Sequence, residues 1–381
     1  MKVLQVNKAY WPFIGGVEKH VQDLAESLLG KVDVEVLAAN TSRRLVKETV
    51  NGVPVTRLPS WGWLRSAPVA PGFYRALKTT PADIYHLHFP NPPGEIAYLV
   101  AGGPGKLVVT YHSDIVRQKL LVRLLGPLIR RLLKRADAVM VSSPNLIKSS
   151  PWLRPVAAKC RVVPFGIDAK PFALTQTVAA RAAEIRRRHG TPLILFLGRL
   201  IYYKGVNYLI EAMKAVDANL LIVGTGALEA DLKEQARALG LDGRVHFVPG
   251  AANDELPAYY HACDVFVLPS VANSEAFGFV QLEAHASGKP VVSTDLPTGV
   301  PYANLDGVTG LIVPPADSAA LAQAINRLLD DQALRQKLGR QAKERVETEF
   351  TREAMAAAVI GIYKEILESG GPGDRAGADQ S

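Results

Sequence analysis

The chain runs to 381 residues, 48% of them hydrophobic and 21% charged, with a formal net charge of +8. At ~150 residues per domain this describes an ordinary globular protein of two or three domains, each able to bury a core. Its two cysteines, Cys160 and Cys263, form no CxxC; a disulfide framework is excluded, a reducing compartment fits, and the basic balance favours anionic partners without choosing among them.

The N-terminus, MKVLQVNKAYWPFIGG, passes straight into a strand pattern at 2–7. It lacks the apolar region and cleavage site of a signal peptide. No run of ~18 uncharged apolar residues exists, so no membrane-spanning helix is expected. The expectation is a cytoplasmic protein, peripheral on the inner face of the cell membrane. Gly15 and Gly16 stand between the first strand and the helix EKHVQDLAESLLG. A side chain there would block the approach of phosphates to backbone N–H groups, although a permissive turn needs the same residues.

Further strand patterns follow at 33–39, 53–59, 84–89, 106–112 and 138–143. Several are continuous apolar runs, as parallel strands covered on both faces should be. The fourth contains HLH, with His86 and His88 on one face. A metal would need a third ligand there, and none is evident. The fifth ends in TYHSD, with His112. Residues 117–137, RQKLLVRLLGPLIRRLLKRAD, place Leu120, Leu121, Leu124, Leu125, Leu128, Leu132 and Leu133 at helical spacing. Arg117, Lys119, Arg123, Arg130, Arg131, Lys134 and Arg135 accompany them without an acid. Pro127 should kink or split this helix. Its leucines are expected to pack on a sheet, and its cationic edge, over 117–135, to face an anionic membrane surface. Trp61 and Trp63 are either interfacial anchors or core residues.

The βαβ rhythm breaks once, over 160–192, in a proline-containing stretch with a charged helix that sets a domain boundary near 170–190. It resumes at 192–198, 219–224, 244–250, 265–270, 290–295 and 310–315. This predicts an α/β protein of two Rossmann-like domains, with six strands in each run. The expected limits are 1–170 and 185–349, a helix at about 350–366 packing back on the first domain, and a disordered tail at 368–381. Ligands of such sheets bind at strand carboxyl ends, so the two domains should face each other across one cleft.

In the second half, GRLIYYKG sets Arg199 and Lys204 after a strand and before a helix. A phosphate there would meet two cations and helix N-terminal amides; two solvated surface cations are the bland alternative. GTGALE at 224–229 lacks the third glycine of a dinucleotide fingerprint, and no GxxxxGK[ST] occurs, which disfavours hydride transfer and Walker-type ATP chemistry. SEAFGFVQLE follows the strand at 265–270. Glu275 falls in a loop turned by Gly278, and Glu283 in the helix beyond. Two such carboxylates can accept hydrogen bonds from different hydroxyls of one polyol, or Glu283 can simply pair with Lys289.

Glu275 and Glu283 in an E-x7-E pattern, Arg199 and Lys204 as R-x4-K, and the N-terminal GGVE together resemble the family-four retaining glycosyltransferases of GT-B fold, over about residues 1–366. The run YHSDIVRQK is similar to bacterial mannosyl- and rhamnosyltransferases of polysaccharide assembly. The resemblance implies that Glu283 binds the ribose of a nucleotide sugar. It implies that Glu275, with Ala276, Phe277, Gly278 and Phe279, holds the donor sugar. Arg199 and Lys204 would neutralise the diphosphate, Gly16 would give it room, and His112 would lie near the reacting sugar, so that His112 and Glu275 are the catalytic pair.

No D-x-D motif stands at a strand end, so a metal-independent reaction with no cofactor is expected, the two cations stabilising the leaving group. The donor expected is a GDP-sugar, mannose-like, in preference to a UDP-sugar; the acceptor is a glycan or lipid-linked. The alternatives are a synthase acting on a soluble small acceptor and a non-catalytic nucleotide-sugar-binding protein. A nucleic-acid binder is disfavoured, since no recognition module is present.

Overall fold

The computed structural model describes residues 1–13, 15–64, 67–114 and 119–369, and of residues 119–124 the backbone alone. The expected tail beyond 369, the side chains expected at 119–124, and Arg117 lie outside this description. Two compact units emerge: Met1–Gly166 with Arg352–Ser381, and Ile167–Thr351.

The first unit is built on β1 (Lys2–Val6), β2 (Asp33–Ala39), β3 (Val46–Val50), β4 (Val53–Leu58), β5 (Trp63–Leu64), β6 (Ala67–Pro68), β7 (Ile84–Phe89), β8 (Lys106–Tyr111), β9 (Ala138–Val141) and β10 (Cys160–Val162). Eight of these make one sheet in the order β10-β9-β8-β7-β1-β2-β4-β3, and β5 with β6 makes a separate two-stranded sheet. All its pairings are parallel except β3 with β4. The strands alternate side chains between two cores, as the period of two requires. Leu4 and Val6 enter one apolar cluster and Val3 the other. Every residue of β7 is buried, consistent with cover on both faces.

That second core is closed by the helices Gly16–Leu28 and Arg352–Glu368. Met355, Ala356, Val359, Ile362, Tyr363 and Ile366 form one buried stripe on the C-terminal helix, spaced as an amphipathic helix demands. The helix Lys119–Arg135 runs unbroken with Pro127 inside it, so of the kink or split expected at the proline the split does not occur. Ile129, Leu132 and Leu133 are buried, and Leu125 and Leu128 pack against the same core; Arg130, Arg131, Lys134 and Arg135 are exposed.

The second unit holds β11 (Leu193–Leu197), β12 (Asn219–Val223), β13 (Val245–Val248), β14 (Val265–Leu268), β15 (Val291–Thr294) and β16 (Gly310–Val313). They form a six-stranded, wholly parallel sheet in the order β13-β12-β11-β14-β15-β16. Six strands were expected in each half. The described residues carry four more in the first: the edge strand β3, the hairpin β5–β6, and β10 in the stretch read as a break.

Strand order reverses once in each sheet. In the second unit the chain builds outward from β11 through β12 to β13, then returns to β14 on the other side of β11. In the first, β2 and β4 lie to one side of β1 and β7, β8 and β9 to the other. At such a reversal the connecting loops diverge and leave a crevice at the strand carboxyl ends, where ligands of open α/β sheets bind. The loops after β11 and β14, and those after β1 and β7, are therefore where chemistry is sought.

Candidate active site

In the second unit, the loop after β11 carries Arg199 and Lys204, and the loop after β14 carries Ser270 and Glu275. Lys204 ends a short 3₁₀ turn, Tyr202–Lys204, and Gly205 follows at φ +66° before the helix Val206–Ala212. A Cβ at Gly205 would meet the Pro269 carbonyl at 2.0 Å. Only glycine both tolerates that φ and lets the loop close on the end of β14. The closure brings Lys204 Nζ to 2.6 Å from Glu275 Oε2, and the Ser270 hydroxyl donates to the same oxygen at 3.0 Å. Both charged side chains are buried. A residue assigned to phosphate and one assigned to sugar thus form one buried ion pair, and the reading of Lys204 as a solvated cation fails. Arg199 donates to the Tyr203 hydroxyl at 3.1 Å in an exposed position.

Gly278, at φ +76°, is the N-cap of the helix Phe279–Ala286. It turns the chain out of the loop that holds Glu275 and Ala276. A Cβ there would meet Leu268 Cδ2 at 2.6 Å. The Phe277 ring is buried and lies edge-on to Phe350, 6.1 Å between centroids, while Phe279 is half-buried. The Ala276 carbonyl accepts from the Gly299 amide at 2.7 Å, which ties the loop to the turn beyond β15. Glu283, half-buried one turn into the helix, accepts from the Tyr260 hydroxyl at 2.6 Å. The alternative partner weighed for it, Lys289, donates instead to the carbonyls of His261 and Cys263.

In the first unit, Gly16 opens the helix Gly16–Leu28 with its backbone exposed. His112, just past β8, is buried among rings. Its Nε2 lies 3.1 Å from His88 Nδ1, and His20 and Phe165 pack on it at centroid distances of 5.1 and 5.4 Å. The His88 Nε2 stands 2.6 Å from Gln5 Oε1, an acceptor, so Nε2 carries the proton and Nδ1 accepts from His112. The Gln5 amide donates to the Tyr363 hydroxyl at 3.2 Å. That hydroxyl contacts His86 Nδ1 at 2.6 Å, and His86 Nε2 contacts Thr110 Oγ1 at 2.6 Å. One directed chain of hydrogen bonds therefore runs His112, His88, Gln5, Tyr363, His86, Thr110. It sets a single tautomer for His112 and leaves Nδ1 as that ring's acceptor.

Burial drives His20 and His86 down to about 3 and holds His88 and His112 well below the ordinary histidine range. All four are neutral at pH 7. The sequence reading found no third imidazole beside HLH. The fold supplies one, for His20, His88 and His112 bring ring nitrogens within 4.8 Å of one another. Hydrogen bonds to Gln5 and His112 already occupy both nitrogens of His88, which argues against ligation there.

Sequence reasoning missed Gln5, His20, Ser270, Tyr260 and Tyr363. His20 had a faint signal, four residues past Gly16 and so on the same helical face. Tyr363 had none, since only tertiary packing brings it within reach of His86.

Two family models match the chain: "Glycosyltransferase Family 4" over residues 14–170 and "Glycosyl transferases group 1" over 180–345. The O-antigen chain mannosyltransferase C of Escherichia coli is 33% identical over 374 residues, covering 97% of this chain and 100% of that protein. The D-rhamnosyltransferase WbpZ of Pseudomonas aeruginosa is 34% identical over 355 residues, covering 92% of each. Among solved structures, HepE from Anabaena in complex with UDP superposes with a TM-score of 0.78 at 21% identity, over 96% of this chain and 100% of that one. By these matches the chain belongs to the family-four glycosyltransferases of GT-B fold.

Proposed function

We propose that this glycosyltransferase moves a mannose-like hexose, with retention of configuration, from a GDP-sugar to a glycan or lipid-linked acceptor in cell-surface polysaccharide synthesis. The names of the two relatives support the sugar class and setting. The observation that carries the reading is the meeting of Lys204 and Glu275 at the strand-order reversal of the second unit, 2.6 Å apart and buried. A diphosphate brought to Lys204 is beside the carboxylate that would take the sugar hydroxyls. Glu283, held by Tyr260, would receive the ribose. As the anomeric C–O bond to the diphosphate breaks, charge grows on the leaving oxygen, and Lys204 and Arg199 stabilise it. The acceptor hydroxyl attacks the same face, and its proton passes to the departing phosphate oxygen. No metal enters this scheme.

A thermal-shift screen of GDP-, UDP- and ADP-sugars in EDTA tests it. GDP-mannose should raise the melting temperature most, and Lys204→Ala and Glu283→Ala should each abolish the rise. A shift that appears only with added divalent metal sinks the metal-free scheme.

No described helix is long and apolar enough to cross a membrane. The exposed cations Arg130, Arg131 and Lys134 support a peripheral contact with anionic lipid, each contributing about 1 kcal/mol. Flotation with anionic liposomes at low salt checks this contact: the wild type should float, and the triple glutamate variant should not.

A further inference from the structure

We infer that the first unit carries a built site for the hydrocarbon chain of a phosphate-headed lipid: an apolar groove of about 870 Å³ with Lys8 at its polar end. The inference rests on the lipid-linked reading of the acceptor and assigns that acceptor's tail a place. Six large apolar side chains that the described residues leave exposed line the groove: Trp61, Leu64, Val69, Tyr74, Ile96 and Val100. Monomers seldom leave so many large apolar groups together on one surface. The volume lies near the top of the roughly 300–1,000 Å³ usual for small-molecule sites. The lining is too apolar for a sugar or nucleotide, both of which need hydrogen-bonding partners on every side.

Position and charge choose the occupant. The groove begins at the strand-order reversal of the first unit, since Lys8 follows β1, and Pro90, Pro92 and Pro93 follow β7. Among the described residues Lys8 has Glu18 as an ion-pair partner, at 3.9 Å, and His112 stands, like Lys8, at the carboxyl end of the sheet, just past β8. A phosphate on Lys8 would therefore sit at the groove, at the same end of the sheet as the histidine expected near the reacting sugar. The helix Gly72–Thr79, which supplies Phe73 and Tyr74, carries Arg75 and Lys78 and no acid. A cation in the lining of an apolar groove, with further exposed cations on a helix that lines it, matches an amphiphile with a long hydrocarbon chain and an anionic head. A neutral peptide or a second copy of this basic chain would meet no complementary charge there.

The test uses the full chain and farnesyl diphosphate below its micellar concentration, read by tryptophan fluorescence. Saturable binding is expected, undiminished by excess GDP. Val100→Glu should weaken it roughly tenfold, about 1.4 kcal/mol. Val100 is 71% exposed, so folding is spared, and Ile96→Glu gives a second reading. Lys8→Ala should weaken farnesyl diphosphate but leave farnesol unchanged. Equal binding by wild type and both glutamate variants overturns the proposal, as does full displacement by GDP, or uptake of phosphatidylglycerol vesicles without uptake of the monomeric prenyl diphosphate. GDP-mannose thermal shifts measured on the same variants report separately on the transferase reading: they should be unaltered, and their absence in the wild type would count against that reading alone.

Discussion

At the scale of single residues, the Lys204–Glu275 pair gives any substitution there two consequences. A buried ion pair adds little net stability, yet removing one partner strands the other charge at a cost of roughly 3–5 kcal/mol. Lys204→Ala should therefore lower the melting temperature as well as abolish donor binding. Lys204→Ala with Glu275→Gln removes the stranded charge, so the double variant should recover most of the stability and none of the binding. Denaturation midpoints and nucleotide-sugar shifts on both variants separate the two effects, and a double variant that binds donor would refute the role given to Lys204. The histidine cluster yields a different expectation. His20 and His86 titrate at about 3 when folded, because burial disfavours the imidazolium, and at about 6.5 when unfolded. Between those values the unfolded chain binds more protons, so stability is full above pH 6.5 and falls as pH drops toward 3. Both ring nitrogens of His20 are buried without a partner among the described residues, so the ring contributes no bond that its replacement would lose. His20→Phe should be neutral or stabilising at pH 7 and should flatten the fall in melting temperature between pH 7 and 5. An unchanged slope would show that His20 is not among the groups responsible.

At the scale of elements, legibility followed burial. All twelve strands read from apolar runs are present, with ends trimmed by a residue or two. Ten of them are interior strands, whose apolar composition their burial demands; β13 and β16 lie at the edges of the second sheet and kept enough apolar residues to be read. Those missed are peripheral. VKETV forms β3 at a sheet edge with its three central residues exposed, so no apolar run marks it. Its turn did carry a signal: Val50 pairs with Val53 across Asn51 and Gly52, both at positive φ, and Asn-Gly between strand-formers is a strong hairpin sequence. β10 is three residues long and sits next to prolines. The basic helix shows the same limit from the other side. Its leucine spacing told which face is buried, but nothing in the spacing told that Pro127 would be accommodated without a break. The candidate site was legible where a loop signature sits at a strand end, as at Arg199, Lys204 and Glu275. It was illegible where the fold joins distant segments: Gln5 and Tyr363 are 358 residues apart and share a hydrogen bond.

At the scale of the whole molecule, the two units differ in how the chain builds them. The second is one continuous stretch, Ile167–Thr351, with its own sheet and apolar cluster. The first needs two stretches, because the helix Arg352–Glu368 returns to complete it. Deleting that helix uncovers Val3 and Val36 of the sheet and Val21 of the helix Gly16–Leu28, and removes Met355, Val359, Ile362 and Ile366 from the core they share. At roughly 1.5–3 kcal/mol for each large apolar side chain buried, the loss is of the same order as the whole 5–15 kcal/mol by which most domains are stable. It also takes away Tyr363, the hydroxyl joining Gln5 to His86, so the tautomer chain behind His112 is cut. Residues 167–351 expressed alone should therefore melt cooperatively and bind GDP-mannose, since Arg199, Lys204, Glu275 and Glu283 all lie within that span. Residues 1–166 alone should be insoluble or lack cooperative melting, and fusing 352–369 to them through a flexible linker should restore it. Calorimetry on the three chains decides the matter: a cooperative transition in 1–166 alone would mean that the sheet closes its own core and that the returning helix is dispensable.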